Sequence, residues 1–113
     1  MVLLVDGRPV SPVRVATSAS ARRRGLLGCV EVEGALWLPN TASVHTVGMR
    51  IALDVATVDR DGGVRSVRSL VPGRLLLPRP GVHAVVEAAA GAFDRWGIVP
   101  GSHLAVTPIS SGR

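Results

Sequence analysis

The run Leu53 to Val58 (LDVATV) most constrains what this chain can become. It is apolar except for Asp54 and Thr57, and Val55, Thr57 and Val58 are β-branched. Such residues suit a pleated surface covered on both sides, so the run reads as a buried strand. Asp59-Arg60-Asp61-Gly62-Gly63 follows, with several residues that tolerate positive φ, and Val64 to Val71 can return as a partner strand. This is a β-hairpin pattern, and the hairpin is expected at the centre of a sheet. Asp54 must find a partner, because an unpaired carboxylate inside a buried strand bears a heavy desolvation cost. Arg24 and Arg50 are the expected partners.

A chain of 113 residues is one domain, with a family-like core over about residues 13–107. The only aromatic side chains are Trp37, Phe93 and Trp96, so Val, Leu and Ala must build the core. The two tryptophans are expected to anchor it. All 13 basic residues are arginine and the formal net charge is +5, which permits an acidic partner without demanding one. Nucleic-acid binding is not expected, because neither aromatic stacking platforms nor a known module accompany the charge. The single cysteine, Cys29, cannot form an internal disulfide. No apolar run reaches the length of a membrane span, and the start MVLLVDGRPV lacks a basic leader, so a cytoplasmic location is expected.

Around the hairpin the chain reads as short strands. Val2 to Val5 and Val13 to Ala16 come first, with Pro9 and Pro12 between them. Thr17 or Ser18 offers an N-cap for a helix running to about Leu27, with Gly28 just past its end. Gly34 to Leu38, Val82 to Ala89 and His103 to Thr107 read as strands, Ser43 to Met49 as the segment that leads into the hairpin, and Ala90 to Trp96 as a short helical turn. The expected fold is therefore mainly β, a compact antiparallel β-sandwich or distorted barrel with one or two short helices.

Several landmarks recur in a fixed order: Arg24-Gly25-Leu26-Leu27, Gly34 to Pro39, His45-Thr46-Val47-Gly48-Met49-Arg50, Leu53-Asp54-Val55 and the Asp59 to Val64 turn. Val86-Glu87-Ala88-Ala89-Ala90-Gly91 and Gly97-Ile98-Val99-Pro100-Gly101 complete the set. Together they resemble the bacterial and archaeal family known as domain of unknown function 192. The resemblance spans about residues 13–107 and implies the same compact β fold, but no assigned activity. Many relatives have an aromatic-Trp-Met run followed by Lys-Asn-Thr where this chain has His45 to Arg50. Many also have Asp after the closing Pro-Gly, where this chain has Ser102.

The candidate site is the polar loop His45 to Met49. Its ligand-binding candidates are His45, Thr46 and Met49, with Asp54 and Arg24. Imidazole can serve as a base or a hydrogen-bonding contact, and Gly48 lets the backbone approach a ligand. Cys29 follows a helix-ending glycine, the wrong end to stabilise a thiolate. His83 and His103 are scattered, without metal-ligand spacing, so no metal or cofactor is expected. No Gly-x-Ser-x-Gly elbow or phosphate loop is present. Two readings remain. One is a non-catalytic binding or accessory module for a small polar ligand or a protein partner. The alternative is a small hydrolase-like enzyme using His45 with Asp54 or Glu87.

Overall fold

The computed structural model describes residues 1–28 and 32–109. Among them are nine strands and two short helices. These are β1 (Val2–Val5), β2 (Arg8–Val15), α1 (Ala19–Arg24), β3 (Ala35–Pro39), β4 (Val44–His45) and β5 (Leu53–Val58). Then come β6 (Val64–Leu70), β7 (Leu75–Leu76), β8 (Ala84–Ala89), α2 (Ala92–Trp96) and β9 (Leu104–Thr107). Cys29 and the tail from residue 110 lie outside the described residues.

Seven strands form one sheet in the order β6-β5-β8-β3-β2-β1-β9, and β4 pairs with β7 in a small second sheet. The expected hairpin is present, with every residue of β5 buried between β6 and β8. It is not central, however: β3 holds the middle and β6 is an outer strand. The sheet is also mixed rather than wholly antiparallel, because β2 and β3 run parallel. The reason is the crossover through α1, which returns the chain to the end it left.

The outer strands meet. Gly63 and His103 form an antiparallel bridge, Leu104 N donates to Gly62 O at 2.8 Å, and Val64 N donates to Ser102 O at 2.8 Å. The sheet thus curls into a distorted barrel, which removes the edges that would otherwise recruit other strands. Gly62 is required at this closure. Its φ is +92°, and a Cβ there would stand 2.5 Å from Leu104 O.

Closure gives the sheet an inside and an outside, and alternating residues serve each. Ala84, Val86 and Ala88 of β8 join Leu3, Val5, Ala56, Val58, Phe93 and Leu104 in one buried cluster. Val85 instead joins Leu36, Leu38, Leu53 and Val55 in a second, which Leu26, Val44 and Leu76 complete. The outside of β3, β5 and β8 is therefore covered by the α1 segment and the β4–β7 ribbon. Without that cover, the continuous apolar runs of β5 and β8 would face water.

Both tryptophans were expected to anchor the core. They are half-buried and pack against the inner cluster from its margin. Phe93 is the fully inserted aromatic, in tilted contact with Trp96 at a ring separation of 6.1 Å. The first helix is shorter than its pattern suggests. Ser18 caps it, accepting from Ala21 N at 3.0 Å, but it ends at Arg24 with Gly25 as C-cap. No helix among the described residues is long and apolar enough to cross a membrane.

Candidate functional site

A cleft of about 470 Å³ opens between α1 and the segment that leads from β3 into β4. Arg22, Arg24 and Gly25 line one wall, and Asn40, Thr41, Ser43 and His45 line the other. The β3–β4 segment is bent by Asn40 at φ +52°, and Thr41 Oγ1 donates to Pro39 O at 3.0 Å to hold the bend. Ser43 and His45 are two apart on extended chain, so both can face the same side.

Glu87 lies at the floor of this cleft. It stands in β8 opposite Leu36 of β3 and Val55 of β5, on the covered outside of the barrel. Only 4% of it is exposed, and its Oε1 has no hydrogen-bond partner. Burial among apolar neighbours pushes its carboxyl up to about 7, and a backbone hydrogen bond from Leu26 holds it partway back. Gly25 makes room for it, because a Cβ at Gly25 would stand 2.8 Å from Glu87 Oε1. The unusual Gly25 backbone (φ +52°, ψ −128°) therefore both ends α1 and admits the carboxyl. A buried carboxyl with one oxygen unpartnered and a raised titration point, at the floor of a cleft, marks a candidate functional group.

The other predicted residues divide sharply. Arg24 and His45 both line the cleft, whereas Thr46, Met49 and Asp54 do not. Asp54 was expected to pair with Arg24 or Arg50, and neither is among its partners. Its Oδ1 accepts from Ser69 Oγ at 2.7 Å, and its Oδ2 accepts from Gly91 N at 2.9 Å and Phe93 N at 3.0 Å. The carboxylate thus satisfies the first free N–H groups of α2, the helix that inserts Phe93 into the barrel. Met49 is buried in the outer apolar cluster. His83 and His103 belong to a different groove, at the barrel end where Trp37, Val15 and Val106 gather.

Residues 1–106 match the family described as an uncharacterized ACR, domain of unknown function 192. The chain belongs to the DUF192 family. Among solved structures, a protein of unknown function from Novosphingobium aromaticivorans superimposes with a TM-score of 0.80 at 23% identity, over 93% of this chain and 84% of that one. A Sinorhizobium meliloti protein provisionally named a transcription regulator does so with a TM-score of 0.73 at 24% identity, over 82% and 79%. Both likenesses establish the shared fold. No curated protein matches the sequence.

In this DUF192 chain Thr46 is a structural residue. It is fully buried; its hydroxyl donates to Val71 O at 2.7 Å and accepts from Arg74 N at 2.7 Å. Its own N–H donates to Arg74 O and its carbonyl accepts from Gly73 N, both at 2.8 Å. One residue therefore ties the Val71–Arg74 turn to β4 and holds His45 at the cleft. Thr46→Val, which keeps the shape and removes the hydroxyl, is expected to cost about 2 kcal/mol in denaturant titration. A loss below about 0.5 kcal/mol would show that the backbone bonds hold the turn alone.

Gly25 is the site residue that sequence reasoning missed. Arg24-Gly25 reads simply as part of a helix, and the carboxyl that needs the glycine lies far along the chain. Glu87 carried a weak signal as the sole charge in an otherwise apolar strand.

Proposed function

We propose that this protein is a non-catalytic binding module whose Glu87–His45 cleft takes a small polar ligand. The supporting observation is the Glu87 carboxyl, buried at the cleft floor with one oxygen unpartnered. Buried polar groups are nearly always satisfied, so one left without a partner beside a cleft supports a contact held for something that enters. His45, Ser43 and the two arginines supply further donors around it. The role expected of the whole His45 to Met49 loop narrows to its first residue. Thr46 and Met49 support that residue from within the fold.

His45→Ala tests this reading. It should leave the melting temperature within about 3 °C of wild type, since His45 is exposed. It should weaken ligand binding about tenfold, the worth of one hydrogen bond of about 1.4 kcal/mol. The wild type should turn over no ester or amide substrate.

The hydrolase reading keeps one observation in its favour. Ser43, His45 and Glu87 line the same cleft. No hydrogen bond links any two of them among the described residues, so no activated nucleophile is assembled. Turnover by the wild type, lost in both His45→Ala and Glu87→Gln with stability retained, would establish the hydrolase and overturn the binding module.

A further inference from the structure

The chemistry around Glu87 also constrains the kind of ligand, given that the cleft is a binding site. Among the described residues, the charged or titratable side chains that line the cleft are Arg22 and Arg24 from α1, His45 from β4, and Glu87 from β8. The sheet neighbours of Glu87 present Leu36 and Val55 beside it, and Gly25 packs on its Oε1. Among the described lining residues Glu87 is thus the only acid, against two guanidiniums. Neither arginine is a hydrogen-bond partner of Glu87 Oε1. Their donors are therefore not committed to that oxygen.

We infer that the ligand carries an oxyanion, a carboxylate or a sulfuryl or phosphoryl group, seated between the Arg22 and Arg24 guanidiniums and an uncharged Glu87. Guanidinium offers paired donors matched to such groups. A protonated carboxyl adds one more donor from below, whereas an ionised one would repel the ligand at short range in a poorly solvated place. Satisfying the unpartnered oxygen and avoiding that repulsion require the same thing, a proton on Glu87. Binding is then linked to proton uptake. Because the free carboxyl titrates at about 7, the linkage operates in the neutral range. The opposite class, an amine or other cation, would select ionised Glu87 and face two arginines.

The test is isothermal titration of the whole protein with four probes: sulfate, glycolate, glycerol and methylammonium. Sulfate and glycolate keep constant charge between about pH 6 and pH 8, so any dependence belongs to the protein. A His45→Gln background is run in parallel, leaving Glu87 as the one titratable acid or imidazole among the described residues of the cleft. At least one of the two anions is expected to bind, with affinity falling about tenfold between pH 7.5 and pH 8.5. Glu87→Gln should bind the same anion with no such fall, and Arg22→Gln with Arg24→Gln should weaken it at every pH. Heats measured in two buffers of different ionisation enthalpy should show proton uptake at pH 8. Binding of methylammonium or glycerol and of neither anion would overturn the inference while leaving the binding module standing. So would anion affinity that is flat with pH in the His45→Gln background, or equally steep in Glu87→Gln. Failure of all four probes at tens of millimolar would overturn both.

Discussion

Wild-type protein is expected to lose about 3 kcal/mol of stability relative to its Glu87→Gln variant as pH rises from 4.5 to above 7. The folded state holds the Glu87 proton up to about 7, whereas the unfolded chain releases it near 4.5. Between those values the folded state binds more protons than the unfolded one, so raising the pH favours unfolding. The contribution is fully present below 4.5, declines through the interval and is gone above about 7. Each pH unit of separation is worth about 1.4 kcal/mol, which sets the total. Glutamine fits the same space and cannot ionise. Urea titrations of both proteins at pH 5, 6, 7 and 8 measure the effect, and taking their difference removes the titration of every other group. A difference that does not change with pH would show that the carboxyl is solvated when ionised, and that the cleft floor is wetter than its apolar neighbours imply.

Asp54→Ala should be the most damaging single change at a polar residue, at about 4 kcal/mol. It would strand the N–H groups of Gly91 and Phe93 and the hydroxyl of Ser69 in a site where Asp54 itself is 4% exposed. Each buried donor left without an acceptor costs about 1–3 kcal/mol. The damage would fall on α2, and through Phe93 on the inner core. Asp54→Asn keeps one acceptor oxygen but turns an amide NH₂ toward donors on the other side, and should cost about 2–3 kcal/mol. Ser69→Ala removes one of the three bonds and should cost about 1 kcal/mol. Denaturant unfolding ranks the three variants, and hydrogen exchange at Phe93 N reports whether α2 loosens first. An Asp54→Ala loss below about 1 kcal/mol would mean that water reaches those amides and replaces the carboxylate.

The two acids show how differently position within a strand can act. Both are buried in interior strands of one sheet. Asp54 lies near the start of β5, where α2 presents unpaired N–H groups, and its oxygens are fully used. Glu87 lies midway along β8, where its sheet neighbours on both sides are apolar and its Oε1 is not used. The first is bound into the fold, and the second is the group on which the proposed binding site rests.

Local chemistry by itself determined the strands and the turns. The β-branched run Leu53 to Val58, the Asp59 to Gly63 turn and the apolar stretch ending at Ala89 declare themselves, because strand preference and turn geometry depend on neighbours a few residues away. The turn even behaves as its residues suggest, with Asp59 Oδ1 accepting from Asp61 N at 2.9 Å and Gly63 N at 2.8 Å. The family was legible for the same reason, since its landmarks are short motifs in a fixed order. His45 and Arg24 could be singled out as polar residues beside loops. What only the tertiary structure decided was which of the polar residues meet. Strand order is set by the α1 crossover and by barrel closure at Gly62, and neither leaves a periodic trace in the chain. That order displaced the hairpin from the centre, moved both tryptophans to the margin, and gave Asp54 to α2 instead of to an arginine. It also brought Gly25 against Glu87 across 62 residues of sequence. A carboxyl in a strand can be read from a sequence, but an oxygen of it left without a partner exists only once the chain has closed around it.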